Sequence, residues 1–239
     1  MKHNTERFIY LCGLMGIELS QVQIEQFMDY YDMLIEKNKV MNLTAITEFD
    51  EVVEKHFIDS LCLEKYFDLK SVNKVIDVGT GAGFPGIPLK IAFPHLKICL
   101  MDSLNKRIDF LKETGEKLNL QNIEYVHSRA EDLAHNKEYR EAYDICISRA
   151  VAKLSVLAEY CIPFVKPNGS FISYKSSDIE KELKDSSQAI KLLSSTIENK
   201  YTYTIPGTEI GRSLIFIKKQ TSTNKKYPRK AGLPTKQPL

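Results

Sequence analysis

Two periodicities divide the chain near residue 70. Ahead of that point apolar positions recur at helical spacing. Ile24, Phe27, Met28, Tyr31, Leu34 and Ile35 fall on one face, and Ser20-Gln-Val-Gln23 before them is a capping-box pattern. Residues 8–17 have the length of a signal-peptide core, but Glu6 and Glu18 flank them and no small-x-small cleavage site follows, so a buried helix is predicted. Asn42-Leu43-Thr44 breaks the pattern, and Val52, Val53, His56, Phe57, Ser60 and Leu61 predict a further helix ending near Cys62. From Lys74 onward short apolar runs alternate with helical stretches. Strands are predicted over 74–78, 97–102, 123–127, 143–148 and 169–175, and helices over 85–92, 104–118, 153–164 and 178–193. Alternation of this kind implies right-handed crossovers and a parallel sheet with helices on both faces. Residues 201–205 and 213–217, flanking Pro206-Gly207 and Gly211, predict an antiparallel hairpin that closes the sheet. The expected fold is therefore α/β: a seven-stranded, mostly parallel sheet, an antiparallel C-terminal hairpin and an N-terminal helical extension.

The first strand carries the chemistry. Lys74-Val75-Ile76-Asp77-Val78 stops at Gly79, Gly81 and Gly83, and a helix-like stretch follows with Pro85 suited to its first turn. Glycines let the backbone take positive φ and let a ligand approach closely, and Gly81 and Gly83 are expected to face that ligand. The helix start adds unpaired N–H groups and a positive dipole end. Gly81-Ala-Gly83-Phe-Pro-Gly86 matches the dinucleotide fingerprint literally, but that match alone is weak. Asp77 lies inside the strand, where a carboxylate suits a cation better than a pyrophosphate. Asp102, nineteen residues past Gly83 at the end of the next strand, is placed to accept both hydroxyls of a ribose. An acid for an ammonium, glycines for a close backbone and an acid for a ribose describe S-adenosylmethionine. A tight strand–helix turn with an incidental Asp needs one glycine, not three with two spaced acids.

Composition narrows the setting. At 239 residues with 43% hydrophobic and 27% charged residues, the chain has the makings of one α/β domain plus an appendage. No apolar run is long enough to span a bilayer. Cys12, Cys62, Cys99, Cys146 and Cys161 are odd in number, widely spaced and free of any C-x-x-C pair, which fits reduced core thiols of a cytoplasmic protein and no metal site. Net charge is only +2, but residues 218–239 hold seven Lys or Arg and no acid, leaving 26 basic against 31 acidic residues elsewhere. The tail suits a polyanion, or else is a solvated end. Boundaries are expected at 1–70 for the helical extension, 71–219 for the main domain and 220–239 for the basic tail, in a monomer.

Ligands of an open parallel sheet sit beyond the carboxyl ends of the strands. That rule selects Asp77, Gly79 and Asp102, then Ser128-Arg129-Ala130-Glu131-Asp132, then Ser148-Arg149-Ala150. The third segment is where an adenine belongs, although Glu131 and Asp132 equally suit the N-terminal dipole of a short helix. Arg149 is placed to clamp a phosphate, a base edge or a carboxylate, or to pair with a nearby acid. His56 is assigned no catalytic part; a partner such as Asp59 is expected for it.

Four blocks together resemble the ribosomal small-subunit methyltransferase G family, also called glucose-inhibited division protein B. They are Asn42-Leu43-Thr44 with His56 and Asp59-Ser60; Asp77-Val-Gly79-Thr-Gly81-Ala-Gly83-Phe84-Pro85-Gly86-Ile-Pro88; Arg129-Ala130-Glu131 with Ser148-Arg149-Ala150; and Tyr227-Pro228-Arg229-Lys230-Ala231-Gly232. The tail departs slightly, with Leu233-Pro234 where the family often has Thr-Pro. The resemblance implies a Rossmann-like methyltransferase fold and methyl transfer from S-adenosylmethionine to N7 of one guanine of 16S rRNA. It further implies cofactor contacts at Gly79, Phe84, Ala130, Glu131 and Arg149. Guanine N7 carries a lone pair and no proton, so no general base is expected, and the sequence holds neither an Asn/Asp-Pro-Pro-aromatic motif nor a Pro-Cys nucleophile. The tail is expected to lie as an extended arm over RNA phosphates, with Lys226, Lys230 and above all Arg229 as contacts and Tyr227 under an unstacked base. A related enzyme acting on a protein or small molecule lacks a use for that tail. A non-catalytic assembly factor lacks a use for the glycine turn.

Overall fold

The computed structural model describes residues 3–149 and 152–239. Ala150, singled out with Ser148 and Arg149, lies outside the described residues. The chain opens with helices α1 (Glu6–Gly13) and α2 (Gln21–Met41). The capping box at the start of α2 forms as its sequence predicts: Ser20 Oγ accepts from the Gln23 N–H, and Gln23 reaches back to the Ser20 N–H. The buried face of α2 is Ile24, Phe27, Met28, Tyr30 and Leu34, so Tyr30 rather than Tyr31 turns inward. A third helical stretch begins as α3 (Phe49–Val52), widens into a π-helical turn over Val53–Ile58 and resumes as α4 (Asp59–Leu61).

The α/β part then runs β1 (Lys74–Val78), α5 (Gly86–Ala92), β2 (Lys97–Asp102), α6 (Asn105–Lys117), β3 (Ile123–His127), α7 (Ala130–Leu133) and β4 (Tyr143–Arg149). It continues through α8 (Leu154–Cys161), β5 (Val165–Ser176), α9 (Glu180–Leu192), β6 (Ser195–Thr204) and β7 (Gly211–Lys219), and α10 (Leu233–Lys236) lies near the C-terminus. One seven-stranded sheet has the order β3-β2-β1-β4-β5-β7-β6. The pairs among β1 to β5 are parallel, and β7 is antiparallel to both β5 and β6. The order reverses direction between β1 and β4, which opens a crevice at the carboxyl ends of those strands.

Alternate strand residues feed two cores. Val75, Ile98, Leu100, Ile145 and Ile147 pack with α1, α2 and the π turn on one face. Ile76, Val78, Cys99, Met101 and Cys146 pack with α7, α8 and α9 on the other. The N-terminal helices thus cover one face of the sheet and share its core. All five cysteines are buried thiols. Among the described residues no helix is long and apolar enough to cross a membrane.

The tail is not an extended arm. Tyr227 is buried in the second core, and Arg229 is bound to the buried Glu159 of α8 through Nε (2.9 Å), Nη2 (2.7 Å) and its backbone N–H (2.7 Å). The expectation that Arg229 and Tyr227 wait for phosphate and base is corrected: an internal carboxylate and an apolar core have taken both. Lys226 and Lys230 remain exposed.

Candidate active site

The turn after β1 is held by its own backbone. The Gly79 and Thr80 N–H groups donate to Met101 O of β2, and the Gly83 and Phe84 N–H groups donate to Thr80 O. From the other side, Tyr30 of α2 donates to Ala82 O at 2.6 Å from a fully buried position. Gly81 has φ +63°, and a Cβ there would meet nothing within 4 Å, so its open side faces the crevice. Gly83 differs. At φ +105° its Cβ would lie 2.7 Å from Ile87, 2.8 Å from the Tyr30 hydroxyl and 2.9 Å from Leu111. Gly83 serves close packing of the turn against α2 and α6; its expected place facing a ligand is corrected.

Asp77 is fully buried beneath this turn. Its Oδ2 accepts from Thr80 Oγ1 at 2.7 Å and from the Gly86 N–H at 2.9 Å, whereas Oδ1 has no partner among the described residues. Burial pushes its carboxyl up to about 7, against the pull of the Thr80 and Gly86 donors. An orphaned carboxylate oxygen at this depth calls for a donor or a cation.

Asp102, also buried, accepts from the Leu104 N–H at 2.9 Å through Oδ1. Its Oδ2 receives the Gly81 N–H at 3.0 Å and Arg107 Nη1 at 3.2 Å. A carboxylate offers about four acceptor positions. Arg107 Nη1 also reaches Oδ1 at 3.5 Å, so three protein donors make four contacts with this carboxylate, and those of the half-exposed Arg107 are the longest. The glycine turn itself rests on this side chain.

Two clefts flank the turn at the carboxyl edge of the sheet. The first, about 350 Å³, lies beyond β1, β2 and β3 among Val78, Gly79, Met101, Ser128, Ala130 and Glu131. Glu131 stands in the first turn of α7, and its Oε1 accepts from the Gly232 N–H at 2.8 Å. The second, about 490 Å³, lies beyond β4 and β5 among Lys55, His56, Asp59, Arg149, Lys175 and Arg212. The π turn brings His56 to this cleft, and Asp59 follows directly. Another cleft, of about 420 Å³, opens at the opposite strand ends beside Lys74 and Lys97, away from the turn.

Phe84 joins the turn to the second cleft. The His56 ring stacks on it at 4.5 Å with 21° between planes, and the Arg149 guanidinium lies 5.0 Å from its centroid. Arg149 donates through Nη1 to Asp59 at 2.9 Å and through Nη2 to His56 Nδ1 at 3.2 Å. Nδ1 also lies 3.1 Å from Lys55 O, and Nε2 lies 2.9 Å from Thr44 Oγ1, so both ring nitrogens are engaged in either neutral tautomer. Burial and the adjacent Arg149 push His56 down to about 3, so the imidazole is neutral. Its partners are Thr44 and Arg149, not the expected Asp59, which pairs instead with Arg149 and with Arg212 at 3.4 Å.

Sequence reasoning singled out Asp77, Gly79, Gly81, Phe84, Asp102, Ala130, Glu131 and Arg149, and all stand around this crevice. It missed Tyr30, Thr80 and Arg107. Only Thr80 had a local signal, as a hydroxyl three residues after a buried acid.

Comparison with known proteins adds the chemistry. The family model described as rRNA small subunit methyltransferase G matches residues 23–206. A protein of Lachnoclostridium phytofermentans named ribosomal RNA small subunit methyltransferase G is 52% identical over 232 residues, covering 97% of this chain and 96% of the relative. The protein of that name from Bacillus subtilis is 48% identical over 236 residues, 99% of each chain. Among solved structures, M. jannaschii TYW2 in complex with AdoMet aligns with a TM-score of 0.53 at 15% identity, covering 73% of this chain and 77% of that one. That last likeness speaks for the fold.

Proposed function

Because the chain belongs to the rRNA small subunit methyltransferase G family, we propose that it transfers the methyl group of S-adenosylmethionine to N7 of one guanine of 16S rRNA. The cofactor supplies an electrophilic methyl on a sulfonium. The observation that carries the reading is the orphaned Oδ1 of Asp77 near the carboxyl end of β1, in the same turn where a Cβ at Gly81 would meet nothing. A buried acceptor without a donor fits the cofactor's ammonium, and the backbone of Gly79 and Gly81 fits its close approach. Asp102 can take ribose hydroxyls in place of its long contacts with Arg107, and Ala130 and Glu131 line the cleft that suits the adenine. Phe84 and Arg149, the two cofactor contacts that the family pattern implies beside Gly79, stand where the turn meets the second cleft, and that cleft takes the target base.

The chain's own groups favour a reaction without proton abstraction. His56 presents no free lone pair, since Arg149 and Lys55 O meet Nδ1 and the Thr44 hydroxyl meets Nε2. A nucleophile that has a lone pair and no proton, as guanine N7 does, needs only positioning and exclusion of water. Lys55, Lys175, Arg149 and Arg212 against Asp59 and Glu182 leave the second cleft with the sign that suits nucleotide phosphates. Borohydride and aniline treatment cleaves RNA at N7-methylguanine. Small-subunit rRNA from a strain lacking this gene is expected to lose one such cleavage, and the wild-type gene to restore it where Gly81→Val does not. An unchanged cleavage pattern would overturn the assignment.

A further inference from the structure

The C-terminal segment crosses the body beside the first cleft. Arg140 ties down its near end, donating to Tyr227 O at 2.9 Å and to Thr223 O at 2.8 Å. His135 Nε2 lies 2.9 Å from Pro228 O. The middle is pinned at Arg229, whose guanidinium spans both oxygens of Glu159, a fully buried carboxylate. A buried carboxylate is tolerated only when paired and hydrogen-bonded, so its partner is held in place. Past this lock the segment reaches the cleft. The Gly232 N–H holds Glu131, the Thr235 hydroxyl meets Tyr160 Oη at 2.8 Å, and Gly232, Thr235 and Tyr160 line the same cleft as Gly79 and Ala130.

We propose that residues 232–235 form a wall of the cofactor cleft against the adenosine half of S-adenosylmethionine, with Arg229 as the positioning residue that locks the wall onto Glu159. The inference rests on the preceding section only for the cofactor and not for the target base. The cations that the lock does not consume, Lys225, Lys226, Lys230 and Lys236, are all exposed.

Arg229→Ala in the full chain should raise the dissociation constant for S-adenosylmethionine about tenfold or more in a calorimetric titration, because the wall loses a charge-assisted, bidentate anchor. Under turnover the loss should fall on KM for the cofactor, with kcat at saturation little changed. Arg229→Lys, which keeps the charge but not the fork, should lie between. A second variant does not disturb the buried pair. The protein has no tryptophan, and Thr235 is exposed, so Thr235→Trp installs a single reporter on the wall. Its emission should change as S-adenosylmethionine is added, with the affinity that calorimetry gives; loss of binding in this variant would equally place the side chain in the site. Constant emission while calorimetry records binding, or unchanged affinity in folded Arg229→Ala, would overturn the inference. If Gly81→Val also leaves cofactor binding intact, the assignment of the cleft itself has failed; if it does not, only the wall has.

Discussion

The glycine turn after β1 and the C-terminal strap border the same cleft, yet they are specified in opposite ways. The turn takes its inner bonds from neighbours in sequence, although Met101, Asp102 and Tyr30 brace it from outside: Asp77 binds Thr80 and Gly86, and Thr80 receives Gly83 and Phe84. The strap is built from residues far apart in sequence: Arg229 binds Glu159, Gly232 binds Glu131, and Arg140 binds Tyr227. Local chemistry writes its partners into a short string of residues. A basic tail states its charge but not which acid within the body will claim it.

Within the turn, two glycines that look alike in sequence separate in structure, and this is where the largest effect is expected. Valine at either position carries comparable positive-φ strain, so their difference reads the space around each Cβ. Gly83→Val forces three core contacts and should lower stability by about 3 kcal/mol or more, with cofactor binding lost through unfolding. Gly81→Val projects into open cleft and should stay folded while losing cofactor binding. Thermal denaturation beside calorimetry separates them. Similar melting temperatures would mean that Tyr30, Ile87 and Leu111 can move aside.

Most of the fold was legible because strand and helix periods differ and the strands are buried on both faces. Each of the predicted strands and the closing hairpin is present, although β5 and β6 begin four and six residues earlier than expected. The inward residue of α2 was misjudged because Tyr30 and Tyr31 are chemically equivalent in sequence, and only the acceptor at Ala82 O chooses between them. The short α7 stood as one of two open readings, since Glu131 and Asp132 suit either a helix start or a ligand. The roles of Arg229 and Tyr227 were misread for the reason already given: their partners stand on α8 and in the second core.

The next effect tests how far the turn depends on Asp102. Asp102→Ala leaves the Gly81 and Leu104 N–H groups without their acceptor and should cost about 1–3 kcal/mol of stability in the absence of any ligand. Asp102→Asn, keeping an oxygen, should recover part of it. Weakened cofactor binding with an unchanged unfolding midpoint would make Asp102 a ribose ligand alone and the turn self-supporting.

Asp77 gives a smaller, pH-dependent effect with a defined sign. Its carboxyl titrates near 7 in the fold and near 3.8 unfolded, so the folded chain holds the extra proton between those values. Stability of the free protein should therefore fall as pH rises from about 4 through 7. An ammonium bound at Oδ1 favours the ionised form, so cofactor binding at pH 6 should release close to one proton, and the release should fade as pH rises past 7. Calorimetry in buffers of different ionisation enthalpy counts it, and Asp77→Asn should release none. Equal proton release by both proteins would place the ammonium elsewhere.

The smallest effect belongs to the outer face of the strap and decides whether its two faces do separate work. Lys225, Lys226 and Lys230 are exposed, whereas Arg229 is consumed by Glu159. Every lysine that neutralises a phosphate releases counterions and adds roughly 0.7–0.9 to the log–log salt slope of RNA binding. Changing all three to glutamine should flatten that slope by about 2 and leave cofactor affinity within about twofold, since none of them lines the first cleft. Arg229→Ala should do the reverse, weakening the cofactor and sparing the slope. Should Arg229→Ala flatten the slope as steeply as the triple lysine variant, the ion pair with Glu159 gives way when RNA arrives, and the lock opens on the substrate. Parallel salt series for the wild type and the lysine variant would instead move the RNA surface to the cations of the second cleft, Lys55, Lys175 and Arg212, which lie on the other side of the glycine turn.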